Sequence, residues 1–280
     1  MFLEVDGGEI YYEISEDLSS TKKPVIFLLP GGPGGAHGIY KFHSLDLENF
    51  FCVVYHDPRC CGKSQNFDPS SATMKNYISD VENLRSHLKL NKIFMLGTSY
   101  GSMCAIGYAI KFASYLSQLI LIAGAASYRF LEIAKLNLER CGTLEQKEIC
   151  KYLWSGTFKN DDHVSEFIKV MKSMYSMNSD FINSTTMGKS VPSFSYKVLN
   201  LGFGDFLRHF DYEAELNKIS CKTLIIVGKD DWINDPSQLK IVASKISDAK
   251  LEVLDNCGHF VAIDQHQRYI NLIKNSIPVS

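Results

Sequence analysis

With 280 residues, 45% of them hydrophobic and 21% charged, the chain has ordinary globular composition and enough apolar residues for one large core or two small ones. Its 29 Lys and Arg nearly balance 31 Asp and Glu, for a net charge of −2, and no long run of like charges suits phosphates or lipid headgroups. Nucleic acid and membrane surfaces are therefore not expected as partners.

The first fifteen residues alternate around a "DGG" turn, "FLEV" then "EIYYEIS", the period of a hairpin with one solvated face. Short apolar runs follow at Val25 to Leu29, Phe50 to Tyr55, Ile93 to Leu96, Leu119 to Ala123, Thr223 to Val227 and Leu251 to Leu254. Such runs, rich in β-branched residues and bounded by Gly, Pro or Asp, suit strands buried on both faces. Helical patterns lie between them. Tyr77, Val81, Leu84 and Leu88 fall on one face, with Asp80, Glu82, Arg85 and Lys89 on the other. Shorter patterns follow Ser99 and Pro236, and another runs from Asp264 to about Lys274. This alternation predicts an α/β fold with a mostly parallel central sheet flanked by helices.

The alternation stops between Ala126 and Glu213, where aromatic residues concentrate and Phe167, Val170, Met171 and Met174 keep helical spacing. We expect a helical insertion over 126–213 between core segments 1–125 and 214–280, with "KSVPSFSYK" as a loop within it. The eight cysteines carry no paired CxxC spacing, and "MFLEVDGGEI" lacks a basic segment followed by an apolar one. The expectation is reduced thiols in a cytoplasmic protein without a membrane span.

The stretch "IFMLGTSYGSMC" sets a strand, Gly-x-Ser-x-Gly and a helix start in the order of a nucleophile elbow. Gly97 and Gly101 remove side chains that would collide where the helix folds back on the strand, and Ser99 sits at the apex. A serine hydroxyl needs a base and an acid that orients the base. "LIIVGKDDWIND" puts Asp230 and Asp231 just past a strand, and "LEVLDNCGHF" puts His259 after the next one. Between the two aspartates we choose Asp231, three residues after Gly228; Asp230 then packs or caps the turn. His56 and His209 are expected to be structural or superficial. The developing oxyanion needs main-chain donors: one is the Tyr100 amide, and the other belongs to "FLLPGGPGG", where Gly31 and Gly32 let backbone approach a substrate. Cys104, Cys141 and Cys257 lack the position of a nucleophile.

Four motifs in order resemble the α/β-hydrolase superfamily and, within it, the prolyl aminopeptidase (proline iminopeptidase) group. "PGGPGG" resembles its His-Gly-Gly-Pro-Gly loop, and "DPRCCGKS" its Asp-x-Arg-Gly-x-Gly-x-Ser. "GTSYG" resembles its Gly-Gly-Ser-x-Gly, while "GKDDWIND" and "CGHF" match the acid and base loops. The resemblance implies a helical cap after the sixth core strand, oxyanion amides at Gly32 and Tyr100, and a structural turn at Asp57 and Arg59. Pro30 replaces the family's loop histidine and Cys60 a glycine. The group holds its substrate's amine with cap carboxylates, and Glu132, Glu139, Glu145, Glu148 and Asp205 do not match that motif.

The expectation is a serine hydrolase without cofactor or metal, acting on a small molecule or short peptide. In the leading form it is an exopeptidase releasing N-terminal proline or small residues. A small-molecule esterase or amidase is the alternative within the fold, and a non-catalytic ligand-binding protein the alternative of another class.

Overall fold

The computed structural model describes residues 1–183 and 194–277. The N-terminal hairpin joins β1 (Phe2–Val5) to β2 (Gly8–Ile14) and is followed by β3 (Val25–Leu29), α1 (His37–Ser44), β4 (Cys52–His56) and α2 (Met74–His87). Next come β5 (Ile93–Thr98), α3 (Tyr100–Phe112) and β6 (Leu116–Ile122). After the inserted helices the core resumes with β7 (Lys222–Gly228), α9 (Pro236–Lys245), β8 (Ala249–Leu254), α10 (Val261–Asp264) and α11 (His266–Ser276). The sheet has eight strands in the order β1-β2-β4-β3-β5-β6-β7-β8. β1–β2 and β2–β4 pair antiparallel, and the other pairs are parallel.

Strand boundaries differ from the apolar runs for local reasons. Phe50 is the C-terminal cap of a 3-10 turn and Phe51 bonds back to Leu47, so β4 starts only at Cys52. β6 begins at Leu116, earlier than its apolar run, because Gln118 is buried within it and pairs with both neighbouring strands. Asp80 also departs from expectation. It is buried on α2 beneath Arg59, whose Nε and Nη2 donate to its carboxylate at 2.5 and 2.8 Å. A paired charge is tolerated in a core where a lone one is not.

Between β6 and β7 lie α4 (Phe130–Cys141), α5 (Leu144–Ser155), α6 (Asp161–Tyr175), α7 (Ser179–Asn183) and α8 (Tyr196–Gly204). Thr143 and Gln146 form a reciprocal capping box on α5, and Gly156 ends that helix with φ 65°. Phe167 and Met171 bury the inner stripe of α6. The two chain ends of the insertion meet where the Tyr128 amide donates to the Phe210 carbonyl and the Tyr212 amide to Ala126, at 2.9 and 2.8 Å. Of the expected loop "KSVPSFSYK", the part in 189–193 lies outside the described residues, and Tyr196 and Lys197 already belong to α8.

Strand register places the functional loops. Leu29 pairs with Gly97, Thr98 with Ile122, and Ile122 with Ile226. The chain therefore leaves β3, β5 and β7 along one edge of the sheet, the carboxyl edge where open α/β sheets bind ligands. Among the described residues no helix is long and apolar enough to cross a membrane.

Candidate active site

Ser99 occupies the turn between β5 and α3 with φ 56° and ψ −118°, a conformation that costs a non-glycine residue about 1–3 kcal/mol. Surrounding bonds hold it there. Its amide donates to the Ile122 carbonyl at 2.8 Å, and its carbonyl accepts from Ser102 and Met103 at 2.9 and 3.2 Å. Ser102 Oγ donates to Gly97 and accepts from Ile122, which ties the helix start back to the strands. A Cβ on Gly97 would run into the Gly101 carbonyl, and one on Gly101 into the Leu29 carbonyl. Both glycines are thus required by close backbone approach.

Asp231 and His259 come from the loops after β7 and β8. Asp231 Oδ1 accepts the amides of Ile233 and Asn234 at 3.0 and 2.9 Å, and Oδ2 accepts from His259 Nδ1 at 2.8 Å. Both side chains are buried, so this charge-assisted bond is shielded from water. Asp230 is exposed, and its amide donates to the Cys257 carbonyl. A side chain on Gly228 would collide with the Cys257 and Gly258 carbonyls, so the loops that carry Asp231 and His259 pack backbone to backbone.

Ser99, Gly32 and His259 line one cavity. No hydrogen bond joins Ser99 Oγ to His259 among the described residues; in unliganded sites such bonds are commonly long and tighten on substrate binding. Gly32, with φ 131°, lies just past the end of β3 and outside the strand ladder. The Tyr100 amide lies at the N-terminus of α3, where helix donors are unsatisfied and the dipole favours negative charge. The Tyr100 ring is fixed between Tyr77 and Phe206, with centroids 5.9 and 5.8 Å away.

The α/β-hydrolase fold family matches residues 24–265. The chain belongs to this family. It is 27% identical over 288 residues to proline iminopeptidase PfmaB of Pestalotiopsis fici, covering 99% of this chain and 98% of that protein. It is 29% identical over 294 residues to a proline iminopeptidase of Saccharolobus solfataricus, covering 99% and 91%. An α/β-fold hydrolase structure from Bacillus anthracis superimposes with a TM-score of 0.79 at 16% identity, covering 99% and 98%. This α/β-hydrolase thus resembles proline iminopeptidases along its whole length.

Several supporting groups had no local signal in the sequence. Asp264 accepts from the Gly258 amide at 2.7 Å, from the Met177 amide at 3.0 Å and from Ser176 Oγ, so it clamps the base loop to the end of α6. Tyr175 meets the His259 ring edge-on at 5.4 Å and stacks on Phe260 at 5.0 Å. The Asp57 turn holds α1: Asp57 accepts from His37 N and Lys63 N at 2.8 and 2.9 Å and faces His37 Nδ1 at 2.6 Å. His56 is buried and His209 exposed, both away from the cavity.

Most of the rest of the cavity is hydrocarbon. The insertion contributes Leu153, Val164, Phe167, Phe194 and Phe203, and the core Ile39, Ile233 and Val261. No Asp, Glu, Lys or Arg lines it among the described residues, and 184–193 contain no Asp or Glu. Burial, helped by the facing His266, holds His43 below the ordinary histidine range and so favours its neutral form. Glu132, Glu139, Glu145, Glu148 and Asp205 are all exposed and absent from the cavity wall. The cysteines have no part in it either. Burial pushes the Cys104 and Cys257 thiols far above their ordinary range, and Cys141 is exposed.

Proposed function

We propose that this α/β-hydrolase is a serine hydrolase that cleaves uncharged carboxylic esters or amides through an acyl-enzyme. The supporting observation is that strained Ser99 and the buried His259–Asp231 pair open into one apolar cavity. Ser99 Oγ attacks the carbonyl carbon while His259 Nε2 takes its proton, and Asp231 holds the imidazole with its proton on Nδ1. The Gly32 and Tyr100 amides receive the oxyanion, each contributing about 3 kcal/mol to the transition state. His259 then returns the proton to the leaving group, and a water repeats the sequence to free the acid.

The relatives' names favour a second reading, an aminopeptidase that releases N-terminal proline. A free amine is a cation at neutral pH, and burying one without a carboxylate partner is unfavourable. Among the described residues the lining supplies none, which favours an uncharged acyl group. Hydrolysis of a p-nitrophenyl hexanoate ester, proline p-nitroanilide and its N-acetyl form separates the two readings. Faster turnover of the ester and the N-acetylated anilide, lost in Ser99→Ala but retained in Ser244→Ala, is expected. Strong preference for the free amine would replace the first reading by the second.

A further inference from the structure

Helix α1 has two faces with different tasks. On its outer face His37 and Lys41, one turn apart, are held by Glu13: His37 Nε2 lies 3.0 Å from Glu13 Oε1, and Lys41 Nζ donates to Oε2 at 2.5 Å. Together with the Asp57 bonds this clamp fixes the helix on β2 and β4. Its inner face presents Tyr40 to the cavity that Ser99 and His259 share.

Gly31 shows how close the Tyr40 hydroxyl stands to the nucleophile. The position of a Cβ on Gly31 is 2.5 Å from the Tyr40 hydroxyl oxygen, 2.8 Å from the Thr98 carbonyl and 3.0 Å from Ser99 Cβ. Hydroxyl and serine therefore stand close together, on the same side of Gly31. Any residue but glycine at 31 would displace the hydroxyl. The Gly31 amide faces the Tyr40 oxygen, and the hydroxyl keeps its own O–H to give. No acceptor among the described residues takes that proton.

We propose that Tyr40 is a further catalytic residue, whose hydroxyl donates to the oxyanion formed at Ser99 beside the amides of Gly32 and Tyr100. The proposal rests on the serine-hydrolase reading above and adds a side-chain donor to its two main-chain donors. As the Ser99 Oγ–carbon bond forms, the serine proton passes to His259 and the carbonyl π pair moves onto oxygen. Tyr40 keeps its proton throughout and shares it as a hydrogen bond. When the intermediate collapses, the pair returns, the bond to the leaving group breaks, and His259 protonates that group. Burial pushes the Tyr40 hydroxyl well above the ordinary tyrosine range, so it stays a donor wherever a neutral histidine can act as base.

Tyr40→Phe removes one oxygen and keeps the ring. Its kcat for the hexanoate ester should fall about 100-fold, the scale of losing one oxyanion donor, while KM moves less than about twofold. An alkyl boronic acid, which places an oxygen in the same position on a tetrahedral serine adduct, should lose affinity in parallel. Hexanol, an unreactive competitor for the cavity, should bind both proteins alike. A kcat within threefold of wild type overturns the proposal. So does a loss matched by an equal loss of hexanol affinity, which would make Tyr40 only a wall of the cavity. If wild-type protein fails to react at Ser99 with a fluorophosphonate, the underlying reading falls and this proposal with it; reactive wild type with an undiminished Tyr40→Phe removes Tyr40 alone.

Discussion

Replacing Asp231 by asparagine probes the His259 pairing with little disturbance to the fold. The carboxylate has three partners, the Ile233 and Asn234 amides on Oδ1 and His259 Nδ1 on Oδ2. An asparagine carbonyl keeps both main-chain donors, so its amide group takes the place of Oδ2 and presents N–H to Nδ1. Nδ1 must then accept, the ring proton moves to Nε2, and the nitrogen facing the cavity no longer takes the serine proton. Enforcing the wrong tautomer lowers kcat by about 10⁴ in triad enzymes, roughly 5 kcal/mol in the barrier. Stability should change by only about 1–3 kcal/mol, because one charged hydrogen bond becomes neutral while the main-chain bonds persist. Stopped-flow hydrolysis of the hexanoate ester reads the rate, and urea unfolding reads the fold. Asp230→Asn, on the exposed neighbour, should stay within about twofold of wild type. An Asp231→Asn enzyme with more than a tenth of wild-type kcat would refute the assigned geometry.

Three further outcomes follow from the packing and the buried charges. Gly101→Ala drives a methyl group into the Leu29 carbonyl and should cost 3 kcal/mol or more, about the upper end for overpacking; a loss below about 1 kcal/mol in urea unfolding would mean that the elbow relaxes. Among the described residues the buried His56 ring has no hydrogen-bond partner for either nitrogen, and burial holds its pKa at about 4 against 6.5, although the Asp57 charge pulls it up. Because the folded pKa is depressed, stability is complete above 6.5 and declines toward 4 at about 1.4 kcal/mol per pH unit, or about 2 kcal/mol at pH 5. His56→Phe should abolish that slope, and an unchanged slope in unfolding measured at pH 5 and 7 would contradict it. Glu13 acts in a more acidic window: burial raises its pKa, but hydrogen bonds from Lys41 and Tyr11 and the His37 charge outweigh it and bring the value to about 2 against 4.5. Its stabilisation is present above 4.5 and lost on the way to 2, so Glu13→Gln should be less stable at pH 7 and flatter in acid; parallel curves for the two proteins would count against the clamp.

The parts of the site that the sequence reveals are those whose chemistry is local. Gly97, Ser99 and Gly101 mark the elbow because its sterics are settled within five residues of chain. Asp231 and His259 stand out because each follows an apolar run that forms a strand, β8 being a half-exposed edge strand rather than a buried one, and Gly31 and Gly32 because they follow β3. What sequence periodicity misses is long-range pairing. Asp80 falls on the polar side of the α2 pattern, yet Arg59 draws it into the core. Asp264 reads as the start of a helix, yet it is the last residue of α10 and holds the loop that carries His259. Tyr40 sits in an eight-residue helix too short for a clear period, and the Glu13 and Asp57 contacts help orient it. The cap carboxylates illustrate the reverse: their acidity is plain in sequence, but their exposure removes them from the site.

The most direct measurement of the central claim is peptide mass mapping after reaction with an alkyl fluorophosphonate. A reagent with a hexyl chain should fill the apolar cavity and form a single adduct on the peptide containing Ser99, with the rate falling steeply in His259→Ala. Labelling distributed over other serines, or folded protein that remains unlabelled, would contradict a nucleophilic Ser99.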